Sequence, residues 1–236
     1  MKTHAVLVNP GILVDGATIE LDESEWHHLK VRRAEMAAEV LVFDGVGNVA
    51  RATVQGRDAL TVGVVQHAPP RAETVLAVGA GDRDRFLALA ERCTELGVTR
   101  LVPLITERSQ TVDNHFRDSA LDKARRRARE ACKQSENPWA TVVDESCGIL
   151  EIPARYPDLR WLLAHAGSSV CPAVAPADAI GWIVGSEGGF VAEEFGFLFE
   201  TLHATGVALG SAVLRFDTAA AAAAAITQDR RAAVGG

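Results

Sequence analysis

Along the first seventy residues apolar positions come in short runs broken by turn formers, whereas from residue 74 onward longer apolar runs alternate with stretches of helical period. The short runs Ala5-Val6-Leu7-Val8, Glu39 to Phe43, Val49 to Val54 and Leu60 to Val65 predict strands of a small β domain. Between the second and third lies Asp44-Gly45-Val46-Gly47-Asn48, whose glycines and asparagine tolerate the positive φ of a tight turn, so a hairpin is expected there. Short strands at this spacing suggest a small barrel. The pattern stops at Gln66-His67-Ala68-Pro69-Pro70-Arg71, where two consecutive prolines make a stiff extended connector, and a domain boundary is placed at residue 70.

Beyond it, Thr74-Val75-Leu76-Ala77-Val78 reads as a buried strand. A helix through Phe86, Leu87, Leu89, Ala90, Cys93 and Leu96 follows and ends at Gly97, then a strand at Leu101 to Ile105. Later strands are expected over Leu159 to Gly167, ending in a histidine and a glycine, at Ala179 to Val184 and around Leu209, with a helix through Phe195, Leu198 and Leu202. Strand, helix, strand in this order is an α/β layout with a parallel sheet. Open sheets of that kind bind ligands at the carboxyl ends of their strands, and three such ends, at His165, Gly185 and Gly210, are candidates to converge.

The second of these ends is the loop Gly185-Ser186-Glu187-Gly188-Gly189-Phe190, with three glycines in five positions. Glycine lets a backbone turn sharply and lets a ligand lie against bare peptide groups, but a strand-to-helix turn needs glycine even without a ligand, so the loop alone leaves both readings open. The third end, Val207 to Thr218, runs into the seven alanines Ala219 to Ala225. At the first βα turn only Gly79-x-Gly81 is present, without the third glycine of a dinucleotide fingerprint, so a nicotinamide site is weakly supported.

Composition narrows the reading. At 236 residues and 48% hydrophobic content the chain can bury a sizeable core, as one large domain or two modest ones. No run reaches the length of a membrane span, and Met1-Lys2-Thr3-His4 leads into a strand-like run, so a soluble cytoplasmic protein is expected. The scattered Cys93, Cys132, Cys147 and Cys171 form no Cys-x-x-Cys pair, which favours free buried thiols and no metal. Adjacent His27 and His28 point apart on either a helix or a strand and do not readily share a ligand.

A net charge of −7 argues against indiscriminate coating of nucleic acid, and no cut at residue 70 yields a basic half: the first part holds six bases against nine acids, the rest 18 against 22. Any RNA contact must be local. Lys123 to Lys133 carries one acid among six bases on a helical pattern, and two readings stand: a phosphate-binding face, or an exposed helix whose pairing acids come from elsewhere.

In order and spacing, Gly185 to Gly189 and Leu209 to Ala219 resemble the two late motifs of the ribosomal small subunit methyltransferase E family. These SPOUT-superfamily enzymes methylate N3 of a uridine in 16S rRNA, and their motifs read approximately Gly-Pro-Glu-Gly-Gly and Leu-Gly-x-x-Ile/Val-Leu-Arg-x-Glu-Thr-Ala. Glu95-Leu96-Gly97-Val98, Glu107-Arg108-Ser109 and Glu130, Ala131, Gln134 and Ser135 fit the same family, and Trp26 to Arg33 fits its early segment imperfectly. The chain departs at Ala80 (lysine in relatives), Asn137 (arginine), Ser186 (proline), Ala212 (arginine) and Asp217 (glutamate).

The resemblance implies a PUA-like, RNA-contacting barrel over residues 1–70 and a SPOUT methyltransferase domain over 71–236, knotted as a trefoil and homodimeric. It implies S-adenosyl-L-methionine held by Leu163, His165, Gly185, Glu187, Gly188, Gly189, Leu209, Gly210, Val213, Leu214 and Thr218, and 16S rRNA of the small ribosomal subunit contacted by Lys30, Arg32, Arg33, Arg108, Arg125, Arg126, Arg127 and Arg129. Uracil N3 must lose a proton before it attacks a methyl group, so a carboxylate and a cation are needed. Arg215 is the expected cation and Asp217 the expected carboxylate, with Glu187 a second candidate base. A helix-capping role for Asp217 or Thr218 explains the same residues without chemistry. Two other readings are kept: a noncatalytic RNA-binding or ribosome-assembly protein on the same fold, and a nucleotide-dependent oxidoreductase.

Overall fold

The computed structural model describes residues 4–31, 37–56, 58–79, 81–112, 118–169 and 171–235. In the amino-terminal part, strands β1 (His4–Leu7), β2 (Thr18–Glu20), β3 (Glu39–Phe43), β4 (Asn48–Gln55) and β5 (Ala59–His67) pair in the order β1-β3-β4-β5-β2. All are antiparallel neighbours except β1 and β3, which run parallel. Alternate residues of β3, β4 and β5 (Val40, Val42, Ala52, Val54, Leu60, Val62) share one core with Leu29 of helix α1 (Glu23–Val31). The three-residue β2 carries too short an alternation to be read from sequence.

The expected hairpin forms at 44–48, and Asp44 organises it. The fully buried Asp44 carboxylate accepts hydrogen bonds from the backbone N–H of Val46 and Asn48 and from the Asn48 side chain, while Gly45 and Gly47 take φ of 78° and 101°. Gly47 is bare for a second reason. A Cβ there would lie 2.4 Å from the Trp139 ring.

The second part is built on strands β6 (Thr74–Val78), β7 (Arg100–Ile105), β8 (Val142–Val143), β9 (Cys147–Gly148), β10 (Arg160–Ser169), β11 (Ile180–Val184) and β12 (Thr205–Val207). They pair in parallel in the order β12-β10-β11-β6-β7-β8, with β9 also against β7. β6 and β11 are buried at every position, which requires both faces of the sheet to be covered. Leu76, Val78, Leu162, Trp182 and Val184 point to one face, where they meet Phe86, Leu87, Leu89, Ala90 and Cys93 of α2 (Arg83–Glu95) and Leu121, Ala124 and Ala128 of α3 (Asp118–Ser135). Val75, Ala77, Trp161, Leu163 and Ile183 point to the other. There they pack with Ile149, with Ile152 of α4 (Ile152–Arg155), and with Phe190 and Leu198, which flank α5 (Ala192–Gly196).

By contact density the chain divides into residues 1–70 with 129–140 and residues 71–128 with 141–236, so the end of α3 groups with the first unit. Cys93, Cys132, Cys147 and Cys171 are free and buried. Among the described residues no helix is long and apolar enough to cross a membrane, and no group of three metal-ligating side chains occurs.

Helix α6 (Phe216–Gly235) closes the first face. Its buried Ala219, Ala220, Ala223 and Ala224 let it lie close to the strands, and Thr227 fastens it by accepting from Trp182 Nε1 at 2.8 Å. At the far end Arg231 donates to Thr74 Oγ1 and to the carbonyls of Glu73 and Asp178. On the opposite face, Gly181 of β11 is bare because a Cβ there would sit 2.4 Å from the ring of the buried Trp161. Gly181→Ala is therefore expected to cost about 1–3 kcal/mol through displacement of Trp161, read as a lowered Tm in thermal denaturation. A variant with unchanged Tm would show that the ring yields freely.

Candidate active site

Because β12, β10 and β11 are adjacent and parallel, the segments leaving their carboxyl ends are neighbours. They enclose one cavity, lined by Ala164, His165 and Ala166 within β10, which runs on past His165 to Ser169, by Val184 at the end of β11 with Gly185, Ser186, Gly189 and Phe190 beyond it, and by Leu209, Gly210, Ala212, Val213 and Leu214 after β12. Phe195 of α5 and Phe216 and Ala219 of α6 complete it. One side is aromatic. The His165 and Phe195 rings meet edge to face at 5.2 Å, and Phe190 and Phe195 at 5.6 Å.

The glycine loop owes its shape to close contacts. Gly189 N–H donates to the Ser186 carbonyl at 2.8 Å, and Gly189 holds a φ of 67°. A Cβ on Gly185 would come within 3.1 Å of the Phe190 ring, and one on Gly79 within 2.9 Å of Ser186 N. One on Gly81 would come within 2.5 Å of Glu187 Oε2. Gly79 and Gly81 thus serve as the seat of the neighbouring loop, which accounts for a Gly-x-Gly that lacks the rest of a dinucleotide fingerprint. The sequence showed both glycines, but their partner lies a hundred residues away.

Two further residues hold the loop, and neither role is visible from spacing. Arg108 Nη1 donates to the Gly188 carbonyl at 2.6 Å. The buried Glu194 accepts from Val191 N at 2.9 Å and from Glu107 N at 2.8 Å, joining the start of α5 to the turn after β7. The only local signal for Glu194 is its place three residues after Val191.

Of the expected cofactor contacts, His165, Gly185, Gly189, Leu209, Gly210, Val213 and Leu214 line the cavity. Leu163 is fully buried in the core on the sheet face away from α2 and α6, so its side chain is committed to packing. Glu187 and Gly188 belong to the same loop and are exposed without being part of the lining, the Glu187 carboxylate lying beside Gly81, and Thr218 is exposed on the first turn of α6. Arg215 is exposed and has no ion pair among the described residues. Asp217 faces α2 instead: its carboxylate lies 3.1 Å from Arg92 Nη1 and 3.6 Å from Arg85 Nη1, and its side chain is 9% exposed.

The basic helix resolves into separate jobs. Arg125 is bound to Asp122, Glu145 and the Val143 carbonyl, and those carboxylates raise its affinity for the proton. Arg127 pairs with Glu91 at 3.3 Å, and Arg129 donates to the carbonyls of Asp44 and Val8. Lys133 is buried against Glu25 and Glu130. Burial opposes its charge, yet the two carboxylates outweigh that and hold the ammonium above its usual range. Lys123 and Arg126 are exposed and have no ion pair among the described residues. Lys30 is exposed at the end of α1. Arg32, Arg33 and the departure at Ala80 lie outside the described residues.

Residues 68–228 match the family model of an RNA methyltransferase domain, and residues 21–65 match that of an RNA methyltransferase PUA domain. A ribosomal RNA small subunit methyltransferase E from Mycobacterium bovis is 32% identical over 230 residues, covering 88% of this chain and 85% of its own. A methyltransferase from Legionella pneumophila solved with bound S-adenosylmethionine is similar with a TM-score of 0.81 at 25% identity, over 97% of this chain and 98% of that one. A ribosomal RNA small subunit methyltransferase E from Neisseria gonorrhoeae bound to S-adenosyl methionine gives 0.79 at 26% identity over 98% of both chains.

One feature of the loop predicts a stability effect. The Ser186 hydroxyl, where relatives of the motif carry proline, is buried and has no hydrogen-bond partner among the described residues. Removing an unsatisfied buried hydroxyl relieves a desolvation cost of about 1–3 kcal/mol, so Ser186→Ala is expected to keep or raise the Tm. A clear fall in Tm would show that the hydroxyl is bonded.

Proposed function

The chain belongs to the ribosomal RNA small subunit methyltransferase E family, and on that premise we propose that it transfers the methyl group of S-adenosyl-L-methionine to N3 of a uridine in 16S rRNA. The observation that carries this reading is that β10 and the loops following β11 and β12 meet at one cavity whose walls are bare backbone and aromatic rings. The cavity fits such a cofactor. A Cβ on Gly189 or on Gly210 would have nothing within 4 Å, so both peptide stretches lie open to a ligand, and the His165, Phe190 and Phe195 side suits a flat base.

When bound, S-adenosylmethionine supplies an electrophilic methyl group on a sulfonium. The protein's task is then to position, exclude water and handle one proton. Backbone groups of Gly185 to Gly189 and Leu209 to Leu214, with His165, hold the cofactor. Glu187, exposed on the glycine loop and without an ion pair among the described residues, takes the N3 proton, and Arg215 stabilises the uracil anion that results.

For RNA, the amino-terminal domain of residues 1–70 contributes Lys30, Arg32 and Arg33, and the exposed Lys123 and Arg126 contact phosphate. Arg108, Arg125, Arg127 and Arg129 act mainly by holding the protein's own loops and helices. A homodimer, a trefoil knot in the carboxyl-terminal segment and action in the cytoplasm, where ribosomal subunits are assembled, belong to the same proposal.

The direct test is incubation of the purified protein with labelled S-adenosylmethionine and small-subunit particles, followed by nucleoside analysis for 3-methyluridine. Cofactor binding without any transfer would leave an RNA-binding protein. Gly210→Val should fold normally, having neither a positive φ nor a close neighbour, and should weaken cofactor binding by more than about tenfold in calorimetry, about 1.4 kcal/mol. Unchanged affinity would take the Gly210 loop out of the site. For RNA, replacing Lys123 and Arg126 together by Gln should lower the salt slope by roughly one per lost phosphate contact. Arg127→Gln should leave the slope as in wild type, since Glu91 already neutralises that charge. Equal slopes for all three proteins would make the whole helix a solvated face.

A further inference from the structure

We propose that Asp217 is a positioning residue that sets the cavity wall through an ion-pair clamp to α2, and not the acceptor of the substrate proton. The proposal rests on the methyltransferase reading above. The carboxylate faces two arginines of α2: Oδ2 accepts from Arg92 Nη1 at 3.1 Å, and the buried Oδ1, which has no hydrogen-bond partner among the described residues, lies 3.6 Å from Arg85 Nη1. A general base needs an oxygen within about 2.6–3.2 Å of the proton-bearing atom. Asp217 is almost wholly enclosed, and it is not among the residues lining the cavity, although Phe216 on one side and Ala219 on the other are.

What Asp217 does reach is the start of α6. Phe216 and Ala219 are both cavity wall and first turn of that helix, and the Ala219 N–H donates to the Arg215 carbonyl at 2.8 Å. In the cavity-lining stretch Leu209 to Leu214 the end residues Leu209 and Leu214 pack against the core, while Gly210 to Val213 between them are exposed, Val213 by 93%. The stretch is fixed at its ends, by β12 in the sheet and by α6. An acidic group in the first turn is also favoured by the helix dipole, and the two guanidinium groups select which way that turn faces. Release of the clamp therefore acts on how well the wall is formed, and reaches chemistry only through cofactor binding.

The two roles separate by measurement. Asp217→Asn, Arg92→Gln and the double variant are compared by calorimetry with S-adenosylmethionine, and by single-turnover methylation at saturating cofactor across pH. A clamp predicts that each single change weakens cofactor binding by roughly threefold to thirtyfold and that the double variant is no worse than the weaker single one, the non-additivity of a shared interaction. The saturated rate stays within a small factor of wild type and its pH profile keeps its shape. The proposal is overturned if Asp217→Asn leaves affinity intact while the saturated rate falls by roughly 10²–10⁴ with loss of the acid limb, the signature of a general base. It is equally overturned if the two single effects add. Should Asp217→Asn fail to fold, Arg92→Gln decides alone, since its side chain is 45% exposed and tolerates change, and an unchanged affinity there rejects the clamp. A wild-type protein that neither binds S-adenosylmethionine nor methylates counts against the methyltransferase reading instead.

Discussion

Parallel pairing of β12, β10 and β11 is the constraint on which the candidate site depends. Parallel strands deliver their carboxyl ends to one edge, so three segments well apart in sequence, 164–166, 184–190 and 209–214, become the three walls of one cavity without any contact designed between them. Antiparallel insertion of any one of these strands would send its following loop to the far edge. The sheet can be parallel because both faces are buried, and that burial follows from the alternation in β6, β10 and β11, where odd and even positions feed two separate cores.

Within that frame, glycine acts where backbones must nearly touch. Gly79 admits Ser186 N and Gly81 admits the Glu187 carboxylate, so the turn after β6 supports the turn after β11, and Gly185 admits the Phe190 ring. Gly189 and Gly210 differ in kind, since the space beside them is open. The same residue type thus does two jobs: interior glycines let the loop settle on its neighbour, and cavity glycines leave room for a ligand. Sequence alone does not separate these jobs, because both look like turn chemistry.

How much could be read beforehand follows the range of the interaction. The Asp44 to Asn48 hairpin, the strand β6, the apolar stripe of α2 and the strand end before Gly185 were legible because each depends on neighbours within a few residues, whereas β10 runs past the expected end at His165 to Ser169 and β12 stops at Val207, short of Leu209. The basic helix was legible only as a run of charge. Its meaning was set by Glu145, Glu91, Glu25 and the carbonyls of Asp44 and Val8, which come from all over the chain. That is the physical reason a cluster of like charge is a poor guide to polyanion binding: a fold can engage it one residue at a time, with carboxylates or carbonyls, while Lys123 and Arg126 stay exposed and without an ion pair among the described residues. Asp217 failed to declare itself for the same reason, since Arg85 and Arg92 lie more than a hundred residues earlier.

Helix α6 joins these threads. A run of alanine has high helix propensity but little apolar surface of its own, so its hold on the sheet is weak per residue and its placement is given over to a few specific contacts. Those contacts occur at intervals along its length: Asp217 to α2 at the start, Thr227 to Trp182 in the middle and Arg231 to the start of β6 at the end. Small side chains let α6 approach closely, and the polar contacts choose where along the sheet it comes to rest. Because Phe216 and Ala219 stand at the first of those contacts, the precision of the cavity is inherited from a polar fastening at the helix start and not from the alanines that fill most of the helix.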